Sequence, residues 1–114
     1  MSGTLQSIDF LNIDSSQFQT IPHNLGRTPI LMSSVLVCTV DDTAKNALTV
    51  GQQMLTEGVN DFIENTTSFG IICDGTNFYF SYPMGTQPNA STINWNGNMV
   101  FPDLSHYKVT AYYM

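Results

Sequence analysis

Apolar and polar residues alternate in short runs along most of this chain, and turn residues divide the runs. The last stretch is the plainest: Tyr107, Val109, Ala111 and Tyr113 alternate against Lys108, Thr110 and Tyr112. A period of two puts one set on a buried face and the other on the opposite face, so His106 to Met114 predicts a closing strand. Phe78 and Phe80 alternate in the same way with Tyr79 and Ser81. Ser68 to Cys73 and Asn77 to Tyr82 flank Asp74-Gly75-Thr76, and an Asp-Gly pair between two such runs predicts a hairpin. Pro29 to Val40 is rich in β-branched and apolar residues with no helix cap before it, which predicts a long strand. Ser16 to Ile21 predicts a short strand that Pro22 ends or places at an edge. Leu48 to Met54 predicts another, with a bulge or bend at Gly51. Ser91 to Trp95 predicts a short strand. Leu55 to Thr67 fits a loop or a single helical turn near Val59 to Ile63.

No stretch carries a sustained helical period. The expected fold is all-β, an antiparallel β-sandwich of about six strands with little or no helix, because each sheet must hide one apolar face. Residues 16–114 would form that domain. Residues 1–15 read as an N-terminal extended arm, with Leu5, Ile8, Phe10 and Ile13 able either to add a strand or to reach a neighbouring subunit.

Length allows one domain: the chain has 114 residues. Charge changes the picture more. Charged residues are 11% of the chain, against roughly 25% in an average globular protein. The polar surface is therefore built from Asn, Thr, Ser and Gln, which suits a member of an assembly or a binder of neutral polar partners. The net charge is −6, with Arg27, Lys45 and Lys108 the fixed cations. Nucleic acid and anionic membrane surfaces both ask for clustered Lys and Arg, so neither is expected as a partner. No apolar run reaches the roughly 18 residues of a membrane span. Met1-Ser2-Gly3-Thr4-Leu5 lacks the basic and apolar regions of a secretory signal.

Candidate chemistry is sparse. Cys38 and Cys73 match no metal spacing and read as buried free thiols. No nucleophile elbow or phosphate loop occurs, so no enzyme activity and no cofactor or metal are expected. His23 is expected to bond the local backbone, and His106 to be a solvated loop residue despite Asp103 nearby. Asp41-Asp42 lacks the alternating oxygen ligands of a calcium loop and reads as a solvated turn. Asn65-Thr66-Thr67 and Asn89-Ala90-Ser91 match the glycosylation sequon by chance in an Asn- and Thr-rich chain. The aromatic set Tyr79, Tyr82, Trp95, Phe101, Tyr107, Tyr112 and Tyr113 exceeds what one face of each strand needs. Most should pack the core, and the rest would serve a subunit interface or a sugar platform.

The turn His23-Asn24-Leu25-Gly26-Arg27-Thr28-Pro29 resembles the His-x-Leu-Gly-x-x-Pro turn of small phage tail-fibre and virion domains, which are H-type-lectin-like β-sandwiches. Val35-Leu36-Val37-Cys38-Thr39, Val50-Gly51-Gln52-Gln53-Met54, Asp74-Gly75-Thr76-Asn77 and Tyr107 to Tyr113 follow in the same order, over roughly residues 18 to 114. Tyr107 stands where that family's closing strand usually has Trp, and Gln52 where its short strand has an acid. The resemblance implies a homotrimer on a virion surface, made in a host cytoplasm. The expected role is capsid decoration, as a cement protein clamping neighbouring copies of the major capsid protein. The alternative is a tail fibre or spike head binding host-surface glycan. In that case Tyr82 or Trp95 would stack on a sugar ring, Asn94, Asn96 and Gln87 would bond its hydroxyls, and Phe101 would add contact area.

Overall fold

Strand formation here follows from which residues alternate and which turns separate them. The computed structural model describes residues 4–13, 18–42, 48–56, 60–61, 66–67, 69–81, 90–93, 99–100 and 103–114. Among the described residues eleven strands run in chain order. They are β1 (Gln6–Phe10), β2 (Phe18–Pro22), β3 (Leu31–Cys38), β4 (Gln53–Leu55), β5 (Asn60–Asp61), β6 (Thr66–Thr67), β7 (Gly70–Cys73), β8 (Asn77–Ser81), β9 (Ala90–Ile93), β10 (Met99–Val100) and β11 (Tyr107–Tyr113). A 3-10 turn at Leu104–His106 leads into β11. Every pairing is antiparallel. The larger sheets run β1-β11-β3-β4 and β2-β8-β7, and the short strands form a third, β10-β9-β5-β6. The all-β class and its sandwich-like character are thus as the alternation predicts.

The register explains the core. Phe10 lies opposite Val109, and Val109 opposite Leu36. Directly opposed residues share a face, so these three point inward together, and none is more than 1% exposed. On the other sheet Phe80 lies opposite Ile71, and Phe78 opposite Cys73 and Ile21. The two sheets meet through rings: Phe10 stacks on Phe80 at 5.1 Å and Phe78 packs on Tyr113 at 4.8 Å. Phe69 closes on Phe80 at 5.7 Å.

Three expectations change. The N-terminal stretch supplies β1, zipped onto the closing strand over its full length, and Phe10 and Ile13 are fully buried. Of the two roles left open for residues 1–15, the described part of that stretch takes the strand, because its apolar residues complete the core. Leu48 to Gln52 is a turn and only Gln53–Leu55 is strand. Gly51 at φ +90 leaves the extended region there, and Gln52 closes the turn by donating its amide to the carbonyl of Thr49 at 3.0 Å. The bulge lies in β3 instead: Leu31 faces Tyr113 and Ser33 faces Tyr112, so Met32 is the extra residue. Within Leu55 to Thr67 the described backbone includes β5 and β6, whose pairing partners rather than any alternation define them.

Candidate functional site

The His23 to Pro29 turn sits at one end of the sandwich and is built from special backbone. Asn24 takes φ +55 and Gly26 φ +72, a region open to Gly and tolerated by Asn. His23 Nδ1 accepts the amide of Leu25 at 3.1 Å. His23 Nε2 lies 2.7 Å from the carbonyl of Asp74. A carbonyl only accepts, so Nε2 carries the proton. The backbone amide of His23 also donates to the carbonyl of Thr76 at 3.1 Å, and its ring stands edge-on to Phe78 at 5.3 Å. One side chain thereby clips its own turn to the β7–β8 hairpin. Leu25 packs on the core. Pro29 is buried, and its carbonyl receives the Cys73 thiol at 3.4 Å. Arg27 donates to the carbonyl of Met114 at 3.1 Å, beside the reciprocal amide pair of Ile30 and Met114. His23 therefore bonds backbone, as the sequence predicts.

Asp74 organises the hairpin turn. Its Oδ1 accepts the amides of Thr76 and Asn77, each at 2.8 Å, and its Oδ2 accepts the Tyr79 hydroxyl at 2.8 Å. The Asn77 and Thr76 amides, then the Tyr79 hydroxyl, hold its carboxyl below the usual carboxylate range.

The opposite end carries a second polar junction. Asp41 is exposed and Asp42 half-buried, and both carboxylates also brace their surroundings. Asp41 Oδ1 accepts the amide of Val50 at 2.8 Å. Asp42 Oδ2 accepts the Asp103 amide at 3.0 Å and the Tyr107 hydroxyl at 2.8 Å. Burial and this carboxylate neighbour push the Tyr107 phenol well up. His106 is fastened as well: Nδ1 donates to the Asp41 carbonyl at 3.0 Å, and Nε2 stands 3.6 Å from Asp103. Asp103 accepts the hydroxyl and the amide of Ser105, and these keep its carboxyl below the usual range. Among the described residues no group of three or more His, Cys, Asp or Glu is placed to hold a metal ion.

A third polar set lies on the outer face of the four-stranded sheet. Asp9 accepts the Lys108 ammonium at Oδ2, at 2.8 Å, and the Thr110 hydroxyl at Oδ1, at 2.6 Å. Burial works against the Asp9 charge, but these partners outweigh it and the carboxyl stays below the usual range. Cys38 and Cys73 are free thiols, both pushed up by burial. Two shallow hollows flank Met32, Ser33 and Ser34, one of about 210 Å³ towards Phe69 and Ile71 and one of about 220 Å³ towards Leu55 and Thr56. Both fall short of the roughly 300 Å³ at which small-molecule pockets begin.

Tyr107 and Tyr113 pack the core, at 4% and 8% exposure. Tyr79 and Tyr112 are half-buried on outer faces. Tyr82, Asn94, Trp95, Asn96 and Phe101, the candidate contacts, lie outside the described residues, as does Gln87. Sequence reasoning missed the two most exposed large apolar residues among those described, Phe18 at 64% and Ile72 at 63%. The signal was parity. Phe18 and Ile21 are an odd number of positions apart in one strand, so one of them must face out. Ile71 and Ile72, being adjacent, must also split.

No protein-family model, curated protein or solved structure matches this chain.

Proposed function

We propose that this protein is a structural component of a bacteriophage particle, a capsid decoration protein that clamps neighbouring shell subunits at the virion surface. The observation that carries this reading is how the polar groups and the apolar surface are divided. Both histidines and the acids Asp9, Asp41, Asp42, Asp74 and Asp103 serve to tie turns and strands together. The apolar side chains of Phe18, Ile30, Val50 and Ile72 stand at least 60% exposed. Of these, Phe18 and Ile72 share the outer face of the β2-β8-β7 sheet, and such a face offers contact area to a partner protein. The low charge of 11% keeps the desolvation cost of a large contact small. The turn at His23 to Pro29, with its resemblance to phage virion domains, supplies the setting, and the major capsid protein is the intended partner.

The test is quantitative mass spectrometry of purified particles, with copies counted against the major shell protein, together with binding to empty capsids. A ratio near one or a simple fraction of one, with binding to empty shells, supports decoration. A handful of copies per particle and no shell binding sinks it, and places the protein at a tail or vertex as a fibre or spike head.

A further inference from the structure

We infer that the edge of β3 at residues 31–34 is a strand-addition site, which takes an extended, uncharged segment of a different polypeptide as one more strand in line with β4. Backbone pairing defines this edge. β4 covers β3 at Val35, Leu36 and Val37, and Gly51 and Gln52 then cover Cys38. At the other end of β4, Thr56 holds Ser34 through its side chain, bonding the Ser34 hydroxyl and, at 3.5 Å, the Ser34 carbonyl. Among the described residues no strand pairs with residues 31–34 on that side. The stretch reads Leu31-Met32-Ser33-Ser34, without the Lys or Pro that commonly guard an open edge.

Parity says which groups the edge presents. Ile30 exchanges both backbone bonds with Met114, so its groups face β11 and those of Leu31 face away. Cys38 bonds towards Gly51 and Gln52, so Leu36 and Ser34, in step with it, also face away from β11. The bulge at Met32 sets their spacing. Leu31 and Ser34 lie opposite Tyr113 and Ala111, which stand at alternate positions of β11. The extra residue therefore brings two outward-facing residues to the spacing of an ordinary ladder. A new strand bonds the Leu31 amide and carbonyl and the Ser34 amide.

The two hollows lie on opposite faces of the same edge. The one of about 210 Å³ opens inward, against Phe69, Ile71 and Ala111 of the core. The one of about 220 Å³ is walled by Leu55. Leu55 lies opposite Val35, whose neighbour Leu36 points inward, so Leu55 is on the outer face. Successive side chains of an added strand point to opposite faces, so one enters the inner hollow and the next the outer. Free backbone groups with a pocket for each of two successive side chains are what strand addition uses. The walls name the chemistry: apolar inside, and Ser33 and Thr56 beside Leu55 outside, with no charged side chain in either. A Val-Thr step fits both. The net charge of −6 sets a second copy against the first, whereas an uncharged segment of another chain meets no such repulsion. The edge is short, so the contact is weak in free solution and becomes effective where the partner is held nearby. The inference does not depend on the shell reading, since it is read on free protein.

Amide hydrogen exchange of the full chain, followed by NMR, tests it with acetyl-Thr-Val-Thr-Val-Thr-amide as the probe. In the free protein the Val35 and Val37 amides, which face β11, should exchange slowly, and those of Leu31 and Ser34 fast. Peptide at about ten times its Kd should slow Leu31 and Ser34 about tenfold. The same peptide methylated on its backbone nitrogens should not. Ser34→Pro removes an outward amide and no bond to β11, and should weaken peptide binding about tenfold, whereas Ser34→Ala keeps the amide and should stay within about twofold. Thermal midpoints check folding, and the methylated peptide decides the matter if Ser34→Pro does not fold. Leu31 and Ser34 amides as slow as Val35 in the free protein overturn the inference, because the chain then covers its own edge. So does slowing that follows protein concentration alone, which makes a second copy the occupant. No slowing at millimolar peptide, equal slowing by the methylated peptide, or a folded Ser34→Pro variant that binds unchanged also overturns it.

Discussion

His23 shows how one side chain can fix a turn that its own neighbours only suggest. It accepts one amide, donates to one carbonyl and lays its ring against Phe78. His23→Ala removes both side-chain bonds and leaves a half-buried amide unpaired, for a loss of about 1–3 kcal/mol. The midpoint of urea unfolding reads it, and an unchanged midpoint would show the clip to be idle. Tyr107 makes the converse case. It is 4% exposed, and its hydroxyl donates to Asp42. Asp42→Ala strands that hydroxyl and should also cost about 1–3 kcal/mol, whereas Tyr107→Phe removes the donor itself and should cost less. In the double variant the two losses should fall short of additivity, since the second change removes nothing still paired. Additive losses would mean that the pair does not interact.

At the scale of elements, the β7–β8 hairpin rests on a carboxylate. Asp74 is held below its ordinary value by the Asn77 and Thr76 amides and the Tyr79 hydroxyl. A group whose folded value is depressed adds stability above its unfolded value, and loses it as pH falls through the folded one. Asp9 and Asp103 are depressed too. Stability should therefore hold down to about pH 4, where unfolded aspartates titrate, and fall below it. Denaturation midpoints between pH 6 and pH 2 read this, and Asp74→Asn should flatten the fall. A midpoint that falls just as steeply in the variant would remove Asp74 from the account. This hairpin was legible in the sequence because Asp74-Gly75 and the alternation around Phe78 are local signals. The closing strand was legible for the same reason. The clip between His23 and Asp74 was not, since 51 positions separate them and only pairing brings them together. Nor was the turn at Leu48 to Gln52: its apolar content reads as strand, and the positive φ of Gly51 overrides it. The exposed face at Phe18 and Ile72 was hidden because β-forming residues look alike whether they point in or out.

At the scale of the molecule, the first and last strands decide whether the sandwich closes. β11 is central in its sheet, with β1 on one side and β3 on the other. An arm could be removed without loss, but β1 cannot. Phe10 is fully buried and stacks on Phe80, and through Phe80 it reaches Phe69. Phe10→Ala should cost about 3–5 kcal/mol, a cavity between two sheets that collapse only partly. Set against the roughly 5–15 kcal/mol of a whole domain, that is a large share. Deleting residues 1–10 removes the strand pairing as well and exposes the edge of β11, so the truncated chain should lose cooperative unfolding. Deleting residues 1–4 spares both the ladder and Phe10 and should leave the thermal midpoint within a few degrees. The contrast between the two truncations is the measurement. If the longer deletion melts like the full chain, residues 6–10 contribute nothing to the core, and the arm reading of this segment returns.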